Sequence, residues 1–139
     1  MKAMDEAVER AVAVLSADPR VRAIYLFGSA ARSASVPPRD LDLAISARPP
    51  LALPELLRLQ GKLQEVVDVA VDLVSLDEAP IVLAHEIIEG GRCVYARSPD
   101  DETELVTRIR MRWWDWLPVR EQQWRASGER LEARLGPPA

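Results

Sequence analysis

Four short runs rich in β-forming residues, spanning positions 21–27, 40–45, 69–75 and 92–96, are separated by stretches whose apolar residues recur at helical spacing. Alternation of this kind leaves few solutions other than an α/β (α+β) domain with a small mixed sheet flanked by helices. The 139 residues suffice for one such domain. A first helix is predicted over 2–17, with Val8, Val12 and Leu15 at helical spacing and Asp18-Pro19 ending it. The strand at 21–27 stops at Gly28-Ser29, where Ser29 can cap a short helical turn through Arg32, and 33–39, with Pro37-Pro38, reads as an irregular loop. A second helix is predicted over 54–67 with Leu56, Leu57, Leu63 and Val67 on one stripe. Asp77 is a plausible cap for a third, running to Glu89 and ended by Gly90-Gly91. From about 101 onward the chain reads as helix, broken near Pro118 into two pieces.

Composition narrows the chemistry. A single cysteine, Cys93, excludes an intramolecular disulfide, and a single histidine, His85, excludes a zinc site built from several Cys or His ligands. The net charge of −4 argues against a uniformly basic nucleic-acid surface, so no direct nucleic-acid partner is expected. No run approaches the roughly 18 apolar residues of a membrane span. The first fifteen residues mix Asp5, Glu6, Glu9 and Arg10 with apolar ones, unlike a signal peptide, so the expected location is the cytoplasm.

The string Leu-Phe-Gly-Ser at 26–29, followed ten residues later by Asp40-Leu41-Asp42, carries the chemical signal. Alternation along a strand puts Asp40 and Asp42 on one face with Cα atoms about 6.5–7 Å apart, close enough to converge on one or two divalent cations. Hard oxygen ligands select Mg2+, with Mn2+ as the alternative. Asp72 stands in the apolar run Val-Ala-Val-Asp-Leu-Val-Ser, which reads as a central strand. There a buried carboxylate needs a metal or a hydrogen-bonded partner, and it completes a triad if its strand pairs with 40–45. Asp68, four residues earlier, is the rival third acid. Gly28 and Ser29, at a strand-to-helix turn, can hold the outer phosphates of a nucleotide through backbone amides and a hydroxyl, with Arg32 as a further phosphate contact. Two cations between the carboxylates would align an acceptor oxygen for in-line attack on the α-phosphorus.

With Gly28-Ser29, Asp40-x-Asp42 and a distant Asp72, the chain resembles the minimal nucleotidyltransferases of the DNA polymerase β superfamily. The likeness extends to Val71–Pro80, Glu86–Arg97 and the late Trp113–Trp124 stretch. It implies that Asp40, Asp42 and Asp72 are catalytic metal ligands, with Gly28 and Ser29 as the phosphate-binding pair. Arg32-Ser33 stands where the family often has Arg-Gly, and Arg39 where it often has Ser. Relatives of this size resemble antitoxins paired with a HEPN-domain ribonuclease toxin. The implied activity is Mg2+-dependent transfer of AMP from ATP to a tyrosine hydroxyl of that toxin. Two alternatives stay open: an antitoxin that acts by binding alone, and an enzyme for a small-molecule hydroxyl of aminoglycoside type.

All four Trp, at 113, 114, 116 and 124, fall in the last third. Trp113, Trp116 and Leu117 share a helical face suited to core packing, while Trp114 points about 100° away and calls for a second surface. Residues 1–98 are therefore read as the catalytic core and 99–139 as partner-binding helices; a homo-oligomer is compatible with this. His85 reads as an ordinary helix histidine and Cys93 as buried and inert.

Overall fold

The computed structural model describes residues 2–31 and 40–135, with side chains over 4–31 and 40–117. The elements run α1 (Lys2–Ser16), β1 (Val21–Phe27), a 3-10 turn (Gly28–Ala31), β2 (Asp40–Ala47), α2 (Leu53–Val66), β3 (Ala70–Ser75), α3 (Ile81–Gly90), β4 (Arg92–Ala96) and α4 (Pro99–Leu135). The strands form one mixed sheet in the order β3-β2-β1-β4. β1 is antiparallel to both β2 and β4, while β2 and β3 run parallel.

Alternating side chains divide the sheet between two apolar layers. Ile24 and Leu26 of β1, Leu41, Leu43 and Ile45 of β2, and Val71 and Leu73 of β3 pack with Ala7, Val8, Ala11 and Leu15 of α1 and Leu56, Leu59 and Leu63 of α2. Ala23, Tyr25 and Ala44 face the other way, against Ala84, Ile87 and Ile88 of α3 and Leu105 and Ile109 of α4. The α2 stripe runs Leu56, Leu59, Leu63; Leu57, expected on it, is 55% exposed, because one residue along a helix is a rotation of about 100°.

Two further sequence expectations are corrected. Asp77 does not cap α3, which begins at Ile81 after Pro80. Its carboxylate instead accepts hydrogen bonds from Ser46 Oγ (3.0 Å) and Ala47 N (2.9 Å) at the end of β2, and from Arg108 of α4 (3.1 Å). Asp77 follows β3 directly, where the chain hugs β2 through Leu76 N donating to Ile45 O, so the nearest unpaired donors belong to the strand. Pro118 does not break the last helix, since α4 is continuous over 37 residues. A proline removes one amide donor and crowds one preceding carbonyl, which can kink a helix without ending it.

α4 is fastened to α3 by a layered contact. The Trp113 indole stacks on the His85 imidazole at 4.0 Å and 2° between planes, and Trp116 follows at 5.1 Å. Arg110 Nε donates to Glu89 Oε1 at 2.7 Å, and His85 lies 3.8 Å from the same carboxylate. His85 is therefore half-buried at a helix interface, a role that its isolated position in the sequence did not disclose. Trp113 and Trp116 are half-buried as expected, while Trp114 is 71% exposed.

Candidate active site

Asp40, Asp42 and Asp72 occupy the face of the sheet that α3 and α4 cover further along. Ala44 and Ser46 on β2 and Val74 on β3 continue that face under the helices, whereas at the start of both strands carboxylates reach solvent. Asp40 and Asp72 are exposed and Asp42 half-buried. The parallel register sets Asp40 beside Ala70 and Asp42 directly beside Asp72. Neighbouring strands lie about 4.8 Å apart, so these two carboxylates face one another across a single strand spacing.

Asp72 is thus exposed on an edge strand, not buried in a central one. β3 closes one side of the sheet and β2 covers only its other flank. The apolar neighbours that suggested a central strand, Val71 and Leu73, serve the α1/α2 core on the opposite face. Asp68 is exposed and precedes β3. The charges acting on Asp42 are those of Asp72 and Asp40: burial first, then these two neighbours, push its carboxyl above the usual carboxylate range. An acid pushed up by burial and by two acidic neighbours, in a cluster with oxygen donors only, suits a divalent cation, which would relieve the repulsion on Asp42. Among the described residues, no three His, Cys, Asp or Glu side chains already stand in a metal-holding arrangement.

The glycine-serine turn reaches the same place because β1 pairs with β2 through Phe27 and Asp42. Gly28 follows directly, with φ of +70°, a conformation that glycine adopts freely. A Cβ on Gly28 would stand 2.2 Å from Asp42 Oδ2. Glycine is therefore required by the carboxylate as well as by the turn, a contact that strand pairing reveals and residue spacing does not. Ser29 is exposed beside it. Arg32, with Ser33, Pro37, Pro38 and Arg39, lies outside the described residues.

Cys93 stands apart from this cluster, on β4. Its Sγ lies 3.4 Å from the Tyr95 carbonyl oxygen and burial pushes the thiol up, which keeps it protonated and unreactive, though it is half-buried and not fully so.

A carboxylate pair on adjacent strands, with a third acid two residues along and a glycine-serine turn against it, defines a nucleotidyl-transfer class of domain. The family described as Polymerase beta, Nucleotidyltransferase matches residues 9–100, and the chain belongs to that family. It is 33% identical over 93 residues to the protein adenylyltransferase MntA of Shewanella oneidensis, covering 67% of each chain. Solved structures share its fold. A chain in the complex of a tri-AMPylated Shewanella oneidensis HEPN toxin with MNT antitoxin aligns with a TM-score of 0.74 at 22% identity, over 89% of this chain and 98% of that one. A chain in a toxin-antitoxin structure with AMP-PNP aligns at 0.72 and 24% identity, over 88% and 96%. No helix among the described residues is long and apolar enough to cross a membrane.

Proposed function

We propose that this chain is an antitoxin enzyme that transfers AMP from ATP to a tyrosine hydroxyl of a cognate HEPN ribonuclease toxin in the cytoplasm, and thereby neutralises it. The observation that carries the reading is the Asp42–Asp72 register beside Gly28, in a chain 33% identical over 93 residues to a protein adenylyltransferase. Asp40, Asp42 and Asp72 would hold Mg2+, two ions in the expected arrangement. When bound, the metal neutralises the triphosphate and polarises the α-phosphorus.

The chain's own groups do the rest. Backbone amides of the Gly28-Ser29 turn and the Ser29 hydroxyl hold the outer phosphates, with Arg32 as a further contact, and so leave the α-phosphorus over the carboxylates. The bond from the tyrosine oxygen to the α-phosphorus forms as the bond to pyrophosphate breaks. Asp72, the exposed acid at the sheet edge, would orient or accept the proton that the hydroxyl gives up. The open end of the sheet suits a protein acceptor that brings its own surface. Met111 and Trp114 on α4, 63% and 71% exposed, supply an apolar and aromatic contact for it.

Incubation with labelled ATP, Mg2+ and the purified HEPN toxin tests the proposal. The wild type labels the toxin and Asp42→Ala does not. Equal labelling by the variant refutes the carboxylate assignment. Full protection of cells by Asp40→Ala, Asp42→Ala refutes the need for catalysis and leaves binding alone.

A further inference from the structure

We infer that Gln60 and Gln64 of α2 are positioning residues for Asp72, an inference that rests on the proposed role of Asp72 as a cation ligand. β3 is an edge strand, and an edge strand presents unpaired backbone groups that leave it free to fray. Here the outward groups on both sides of Asp72 are taken up by side-chain amides. Gln64 Nε2 donates to the Val69 carbonyl at 2.7 Å, and Val71 N donates to Gln64 Oε1 at 3.0 Å. Leu73 N donates to Gln60 Oε1 at 3.0 Å.

The Gln64 amide thus offers one donor and one acceptor in the pattern that one residue of a further parallel strand would offer, and Gln60 adds an acceptor one repeat along. The two glutamines are four residues apart and so share one helical face. Leu56, Leu59 and Leu63 bury the adjoining stripe in the sheet's apolar layer, so α2 cannot drift from β3 without opening the core.

Asp72 itself makes no hydrogen bond or ion pair among the described residues. Its backbone lies against β2 on one side, and the outward groups of its neighbours Val71 and Leu73 are held by the two amides on the other. A displacement of about 1 Å at a metal-binding carboxylate is enough to spoil a catalytic arrangement. The glutamines act at that level, touching neither nucleotide nor cation.

The test measures Mn2+ binding to the full chain by electron paramagnetic resonance, without nucleotide, beside amide hydrogen exchange at Val71 and Leu73. Gln60→Leu is expected to lower the protection of Leu73 by about tenfold and to raise the Mn2+ dissociation constant by about tenfold. Gln64→Leu, at a more exposed site, moves both in the same direction at Val71. Gln60→Glu keeps the acceptor oxygen and restores both readouts to within about threefold of wild type. Lost protection with unchanged Mn2+ binding overturns the inference, and so does unchanged protection. Asp42→Asn and Asp72→Asn separate the two levels. If they abolish Mn2+ binding and the glutamine variants leave it unchanged, only the positioning role falls. If they leave binding intact, the cation reading falls and takes the positioning role with it.

Discussion

Replacing Gly28 by alanine separates two demands that the turn makes on one residue. The first is conformational: at φ of +70° a residue with a Cβ costs about 1–2 kcal/mol. The second is steric, because the new Cβ would stand 2.2 Å from Asp42 Oδ2. That is about 1 Å inside ordinary contact for carbon and oxygen, whose optimal separations start near 3.5 Å for carbon pairs. Asp42 Oδ2 ends a short side chain that can rotate, so the carboxylate gives way before the strands do. Stability should then fall only by the conformational amount, roughly 3–8 °C in melting temperature for a chain of this size. Activity should fall much further, on the order of 100-fold, because the proposed metal ligand Asp42 has moved by about 1 Å. AMP transfer at saturating Mg2+, with urea denaturation on the same preparations, gives both numbers. In an Asp42→Ala background Gly28→Ala should cost the same stability to within about 0.5 kcal/mol, since the yielding carboxylate adds no strain to the fold. Transfer within about threefold of wild type would refute the steric placement of Asp42. A stability loss above roughly 4 kcal/mol would show that the strands, and not the side chain, absorb the clash.

Asp42→Asn should stabilise the metal-free protein. The raised carboxyl of Asp42 means that the wild type has its full stability below the ordinary carboxylate range and loses it as pH climbs through the folded value. Thermal melts in chelator should show no difference between the two proteins at low pH and a higher melting temperature for the variant at pH 7; identical melts at both would contradict the repulsion. Arg20 holds Asp18 and Glu55 below their usual range, first through its hydrogen bonds to each. That stability is present above the carboxylate range and lost as pH falls through it, so Arg20→Ala should lower the melting temperature at pH 7 and flatten the acid limb. Trp113→Ala should cost about 1–2 kcal/mol in urea denaturation through loss of the His85 stack. Trp114→Ala should stay within about 0.5 kcal/mol yet weaken toxin binding by about 2 kcal/mol by calorimetry; undiminished binding would move the interface elsewhere.

Local pattern carried much of the architecture. The strand at Val21–Phe27 and the strand at Arg92–Ala96 match the sequence expectation residue for residue, because β-rich runs ended by Gly or turn residues leave little choice of boundary. The helices at Lys2–Ser16 and Leu53–Val66 were legible within a residue from their 3.6-residue stripes. Leu57, Asp77 and Pro118 were misread for one shared reason. Each was judged from its own segment, whereas a stripe's centre, a carboxylate's partner and a helix's continuity depend on what packs beside them.

The active-site chemistry was similarly divided. Residue types and spacing were enough to single out Gly28, Ser29, Asp40 and Asp42 as candidates and to put the two aspartates on one face, because alternation along one strand is a local property. The pairing of Asp42 with Asp72, the exposure of Asp72 at an edge, the seat of Asp42 against Gly28 and the amide clamp from Gln60 and Gln64 all arise between different elements, at separations from 5 to 30 positions. Strand order and register set those contacts, and both are fixed by which apolar faces bury each other across the whole sheet, a collective outcome that no single segment encodes.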